Sequence, residues 1–192
     1  MAQRRSLSGG NAAMTGLPRA SGNIVLRAWR STDEADLVAE ANNRAVWRNL
    51  THLFSHPYTA KDAKEWVAAC LEQDPPRDLV IEVAGEFAGG CGIQPGEGVG
   101  VYTGHIGYWL GERFWNQGIA TAALAVLVDY IWETFDVERL QAEVFSWNPA
   151  SARVLERNGF RLEGTRRRAI FKDGELIDEW MYTRFRSETT GP

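Results

Sequence analysis

Gly107-Tyr108-Trp109-Leu110-Gly111-Glu112-Arg113-Phe114-Trp115-Asn116-Gln117-Gly118-Ile119-Ala120-Thr121-Ala122-Ala123-Leu124 is the stretch whose reading decides the fold. It runs from a strand through a short loop into a long apolar helix, expected from about Gly118 to Phe135. Gly118, Ala120, Thr121 and Ala122 put small residues at the helix start. A helix N-terminus presents unpaired backbone N–H groups and the positive end of the helix dipole. Small side chains let a diphosphate approach those amides closely, which suits an anion site. The same small residues also serve packing, so this segment alone leaves both uses open.

Working outward, Ile24-Val25-Leu26-Arg27 reads as a first strand. Ser31 with Glu34 three residues on reads as a capping box opening a helix toward Asn42, and Thr59 with Asp62 opens a second, to about Gln73. Ala63, Trp66, Val67 and Leu71 fall on one face of that second helix. Asp78–Val83 and Phe87–Ile93 form a hairpin about Ala84-Gly85-Glu86, and Tyr102–Leu110 is the next strand. Past the long helix come a strand at Leu140–Phe145, a helix at Ala150–Asn158 closed by Gly159, and a hairpin about Asp173-Gly174. Arg44 to Pro57 shows no clean period. Three strands meander before the main helix, so the expectation is an α/β (α+β) domain: a mixed central sheet with helices on both faces, not a doubly wound parallel sheet.

The chain has 192 residues, 44 % hydrophobic and 24 % charged, which is one domain's worth of core. We expect flexible tails at residues 1–22 and 188–192 around a domain at 23–187. The net charge of −4 gives no general attraction to phosphate backbones, so nucleic acid is not an expected partner. No run has the length of a membrane span, and the apolar segment of an export signal does not follow Arg4-Arg5. Cys70 and Cys91 stand apart with no Cys/His cluster, which points to reduced, buried thiols, no metal and a cytoplasmic setting.

A second block follows in order: Val144-Phe145-Ser146-Trp147-Asn148-Pro149-Ala150-Ser151, then Val154-Leu155-Glu156-Arg157-Asn158-Gly159-Phe160. The two blocks together resemble the GNAT superfamily of N-acetyltransferases over about Ile24 to Phe185. The resemblance is closest to the ribosomal-protein N-terminal acetyltransferases (Rim type), on Ile106–Leu110, Trp115–Thr121 and Asn148-x-x-Ser151. It implies a single GNAT-type domain whose central strands splay apart. It also implies a cleft for acetyl-CoA, with the pantetheine beside Tyr108, Trp109 and Leu110 and held by Asn148. The diphosphate would rest on the amides of Asn116, Gln117, Gly118, Ile119, Ala120 and Thr121. Trp115 stands where the superfamily usually has Arg or Gln.

Many members of the superfamily protonate the departing thiolate with a Tyr at the position of Leu155, where this chain has none. Ser151 is the substitute that the Rim-type pattern implies, against the alternative that it only caps or packs a helix. His105 lies on the strand flanking the cleft, and imidazole exchanges protons near neutral pH. It is the candidate base, with Glu82 or water as alternatives. The implied acceptor is a primary amine, such as the N-terminal α-amine of a protein or peptide. A polyamine, amino acid or aminoglycoside is the alternative, cations that favour an acidic pocket for which Glu82, Asp178 and Glu179 are the candidates, and so is a non-catalytic CoA-binding protein. Monomer and homodimer are both open.

Overall fold

The computed structural model describes residues 16–189. Eight strands form one sheet: β1 (Arg19–Ser21), β2 (Ile24–Arg27), β3 (Asp78–Val83), β4 (Glu86–Pro95), β5 (Thr103–Leu110), β6 (Arg139–Phe145), β7 (Arg161–Lys172) and β8 (Glu175–Phe185). Their spatial order is β1-β2-β3-β4-β5-β6-β8-β7. Every neighbouring pair is antiparallel except β5–β6. The helices are α1 (Glu34–Ala41), α2 (Arg44–Trp47), α3 (Ala60–Leu71), α4 (Ile119–Thr134) and α5 (Pro149–Arg157).

Helices cover both faces, as the sequence suggests. On one face Leu37, Ala41, Ala63 and Val67 from α1 and α3 pack with Trp29, Val80 and Phe87. On the other, Leu124, Leu127, Val128 and Ile131 of α4 and Leu155 of α5 pack on Leu26, Ile81, Leu140, Ala142 and Val144. Strand alternation explains the split, because successive side chains leave a strand on opposite faces. Leu140, Ala142 and Val144 of β6 are buried toward α4 and α5, while Gln141, Glu143 and Phe145 take the other face.

Several local expectations change. Arg19–Ser21 lies within the stretch expected to be a tail, yet it is an edge strand on β2. An Arg19–Glu133 ion pair and the stacking of Arg19 on Tyr130 hold it; residues 1–15 lie outside the described residues. The capping box of the first helical turn is not Ser31/Glu34. Asp33 instead accepts the N–H of Arg30 at 2.8 Å, and Ser31–Asp33 form a 3-10 turn ahead of α1. Asp33 is drawn there by Arg27, whose guanidinium it binds at 2.8 and 2.9 Å. The Thr59/Asp62 box is present, but the buried face of α3 is Ala63, Val67 and Cys70, while Trp66 and Leu71 are exposed.

Candidate active site

β5 and β6 run parallel for three pairs, Thr103–Arg139, Gly104–Leu140 and His105–Gln141, and then part. β5 continues to Leu110 with its β4 side fully paired. Its β6 side, from Ile106 on, faces a cavity of about 570 Å³. The cavity passes through the sheet at this notch. One wall is the loop and start of α4, Phe114 to Thr121, with Asn148 and Ser151 of α5; the other reaches Glu143 and Glu179 on the opposite face.

The start of α4 is bare. Gly118 is its N-cap at φ 77°, without a side-chain cap, whereas α2, α3 and α5 are capped by Asn43, Thr59 and Asn148. The first-turn N–H groups of a helix have no partner within it, and here they border the cavity. A Cβ on Gly118 would meet nothing within 4 Å, so its hydrogen keeps that approach clear. The loop leading in is fixed from below: Trp115 Nε1 donates to the Leu110 carbonyl at 2.9 Å, and Gln117 Nε2 donates to the Arg113 carbonyl at 2.8 Å.

Asn148 caps α5 by accepting the N–H of Ser151 through Oδ1 at 3.2 Å. That frees the Ser151 hydroxyl from capping. Ser151 Oγ lies 2.8 Å from the Tyr108 hydroxyl, which also sits 3.1 Å from the Ser151 carbonyl. Burial pushes the Tyr108 phenol up, against a smaller lowering by Ser151, so it keeps its proton at neutral pH. Trp109, the next residue, points the other way, with its ring 5.4 Å from Phe54 and 6.2 Å from Phe87.

The remaining candidates separate. Glu82 binds Arg27 at 2.7 Å and does not line the cavity. His105 stands at the fork of the two strands, half-exposed, with Nδ1 3.5 Å from Glu143. It reaches the cavity only through that carboxylate. Glu179, one of the three acidic pocket candidates, lines the site, whereas Glu82 and Asp178 do not; Glu143 and the residues Val46, Asn49 and Thr51 that roof it also line the site without having been singled out in the sequence. The roof is tied to the β7–β8 turn by Arg44 on Asp173 (2.7 Å) and by Lys172 over Trp47 (3.8 Å). Glu143 could have been found only from the β6–β8 register, which sets it on one face with Glu179.

A bare helix start, a strand notch and a hydroxyl pair now share one cavity. The profile of the Acetyltransferase (GNAT) domain matches residues 23–161. The chain belongs to the GNAT acetyltransferase family. The N-acetyltransferase p20 of Bacillus licheniformis, an uncharacterized member, is 30 % identical over 116 residues, 59 % of this chain and 63 % of that protein. The chain thus spans a little under two thirds of that relative's length. The ribosomal-protein-serine acetyltransferase of Escherichia coli (strain K12) is 37 % identical over 82 residues, 43 % of this chain and 46 % of that protein. Mycobacterium smegmatis RimJ in complex with CoA-disulfide superposes with a TM-score of 0.77 at 26 % identity, over 88 % of this chain and 84 % of that one. This GNAT chain is therefore an N-acetyltransferase by family, with relatives that include ribosomal-protein acetyltransferases. Among its described residues no helix is long and apolar enough to cross a membrane.

Proposed function

We propose that this enzyme transfers the acetyl group of acetyl-CoA to the N-terminal α-amine of a protein or peptide. The observation that carries the proposal is that the uncapped start of α4 and the Ser151–Tyr108 pair open onto one cavity. The similarity to a ribosomal-protein-serine acetyltransferase and to RimL, a ribosomal L7/L12 alpha-N-protein acetyltransferase, supports the choice of acceptor.

Bound acetyl-CoA supplies the activated acyl group and a thiolate leaving group. The backbone N–H groups of Asn116 to Thr121 suit its diphosphate, where charge meets unpaired donors and the helix dipole. The free edge of β5 at Tyr108, Trp109 and Leu110 can pair with an extended amide-bearing arm as a further strand would. Asn148, with Oδ1 used as a cap, offers its Nδ2 donors to the same arm. A neutral amine nitrogen forms the new bond to the acyl carbon as the carbon–sulfur bond breaks. Either hydroxyl of the Tyr108–Ser151 pair can be the donor; with the Tyr108 O–H turned to Ser151 Oγ or to the Ser151 carbonyl, the Ser151 proton is left for the sulfur that departs with the electron pair. His105 receives the proton lost by the amine, through Glu143 or water.

Acetyl-CoA should raise the melting temperature, by about 2.7 kcal/mol of stabilisation at a hundredfold excess over Kd. Gly118→Val should lose that shift, because a branched side chain projects over the amides. The variant is also strained at its positive φ, so the comparison is each protein with and without ligand. A Gly118→Val protein that keeps the full shift removes these amides from the binding site.

Thiol release from acetyl-CoA with a panel of amines tests the acceptor. The largest kcat/KM is expected for a short peptide with a free α-amine. A preference for spermidine, free amino acids or an aminoglycoside moves the assignment to small amines. Binding of acetyl-CoA with no release on any amine makes the chain a CoA-binding protein.

A further inference from the structure

The wall of the cavity opposite α4 carries charge that the reaction steps above use only as a proton relay at Glu143. Glu143 on β6 and Glu179 on β8 both border the cavity. They share a sheet face, since Glu179 pairs in register with Phe145, two residues along β6 from Glu143. Glu179 is buried, with a side chain only 7 % exposed. The cation nearest both is Arg166 on β7, the register partner of Glu179, with Nη2 2.5 Å from Glu179 and 3.7 Å from Glu143. Arg166 does not itself line the cavity. It holds the carboxylates from the far side, and His105 approaches Glu143 at 3.5 Å. Gln141 donates to Glu143 at 2.6 Å, which fixes that carboxylate without neutralising it. Arg139 acts on Glu143 at longer range, and Arg153 and Arg157 line other parts of the cavity; at this wall two carboxylates face the space an acceptor would enter, with Arg166 as their shared ion-pair partner.

A buried carboxylate without a full counter-charge is costly to keep. Burial indeed pushes the Glu179 carboxyl up, with Arg166 opposing and Glu143 adding to the rise. A bound ammonium group would supply the missing charge. Resting on the amine-acetylation reading above, we infer that Glu179, supported by Glu143 and positioned by Arg166, is the seat of the acceptor's ammonium group. The enzyme then selects amines that are protonated at neutral pH. An α-amine, with its usual pKa of about 7.7–8.0, is largely so at pH 7. The seated ammonium releases one proton toward Glu143 and His105 and becomes the neutral nucleophile. Its nitrogen lone pair forms the amide bond as the carbon–sulfur bond breaks, the Ser151 hydroxyl protonates the departing thiolate, and the second proton lost from nitrogen restores that hydroxyl. One proton in all leaves to solvent.

The test uses the complex with CoA, which cannot turn over, and two tripeptides alike except at one atom. Ala-Ala-Ala amide carries the ammonium, and lactyl-Ala-Ala amide has a hydroxyl in its place. Calorimetry should give a Kd for the amine about 10- to 100-fold lower than for the hydroxyl analogue, the worth of a charge-assisted hydrogen bond. Glu179→Gln, which keeps shape and loses charge, should bring that ratio near one while leaving the Kd for CoA unchanged. Glu179→Asp should keep part of the ratio. Arg166→Gln should preserve or enlarge it, because the carboxylate then lacks its internal cation. Equal binding of the two peptides to the wild type, or a ratio unmoved by Glu179→Gln, overturns the inference. If neither peptide binds, the same comparison is made with butylamine and butanol. Discrimination there, lost in Glu179→Gln, overturns the peptide reading and keeps the ammonium seat; its absence overturns the seat.

Discussion

Ser151→Ala is expected to lower kcat on the order of 10- to 1000-fold while the KM for acetyl-CoA stays close to wild type. The range is the usual effect of removing one oriented hydrogen bond aimed at developing charge. The split between kcat and KM follows because the contact strengthens only as charge appears on sulfur, and interactions made only in the transition state act on kcat. The structure sharpens the expectation in one respect. Asn148, not Ser151, caps α5, so the Ala variant keeps its helix start and its loss cannot be a folding effect. Tyr108→Phe provides the companion test. It leaves Ser151 its hydroxyl but removes its hydrogen-bond partner 2.8 Å away, and should give a smaller fall in kcat of the same kind. A Ser151→Ala enzyme with wild-type turnover removes Ser151 from the chemistry.

The second large effect is on stability. Asp33→Ala should cost about 3–5 kcal/mol, the range found when one member of a buried ion pair is removed. Asp33 and Arg27 have side chains only 5 % and 8 % exposed, and the guanidinium is held by two bonds to Asp33 and one to Glu82. Without Asp33 a cation stays in the interior with half of its partners. The N–H of Arg30 also loses its acceptor. At about 2–4 °C per kcal/mol for a chain of this size, the melting temperature should drop well beyond measurement error. Combining Asp33→Leu and Arg27→Met with Glu82→Gln, so that no partner of the guanidinium keeps an unpaired charge, should recover much of the loss, because an apolar replacement of a whole buried ionic group is often neutral. A loss below about 1 kcal/mol in Asp33→Ala would show that the pair is not carrying that part of the fold.

These two sites differ in how visible they are in the sequence. The Gly118 helix start, the Asn148-to-Ser151 turn and the Thr59 cap announce themselves because each is a local pattern of residue type and spacing. The mixed sheet with helices on both faces follows from the element order and the strand periodicity. Residues 44–57 stay unreadable because α2 is one turn long. What anchors it comes from far along the chain, in the contacts of Arg44 with Asp173 and of Lys172 with Trp47. The first part of β7, ahead of the hairpin that the Asp173-Gly174 turn announces, hides for a related reason. As an edge strand with Arg161 to Ala169 mostly solvent-facing, it lacks the apolar alternation by which a half-buried strand is found. The His105–Glu143–Arg166–Glu179 group is assembled across four strands, so only the register brings it together. Glu82 shows the converse. A carboxylate on a central strand looked free for catalysis until Arg27, from the adjoining strand, claimed it.

The central claim is acetylation of an N-terminal α-amine, and the most direct test is where the acetyl group lands. A peptide with a free α-amine and one internal lysine is incubated with the enzyme and acetyl-CoA, and the product is mapped by fragmentation mass spectrometry. The expected product carries a single acetyl group on the first residue, with the lysine side chain unmodified and one free thiol released per peptide. Acetylation of the lysine with the α-amine untouched, or thiol release with a polyamine while the peptide stays unmodified, would contradict it.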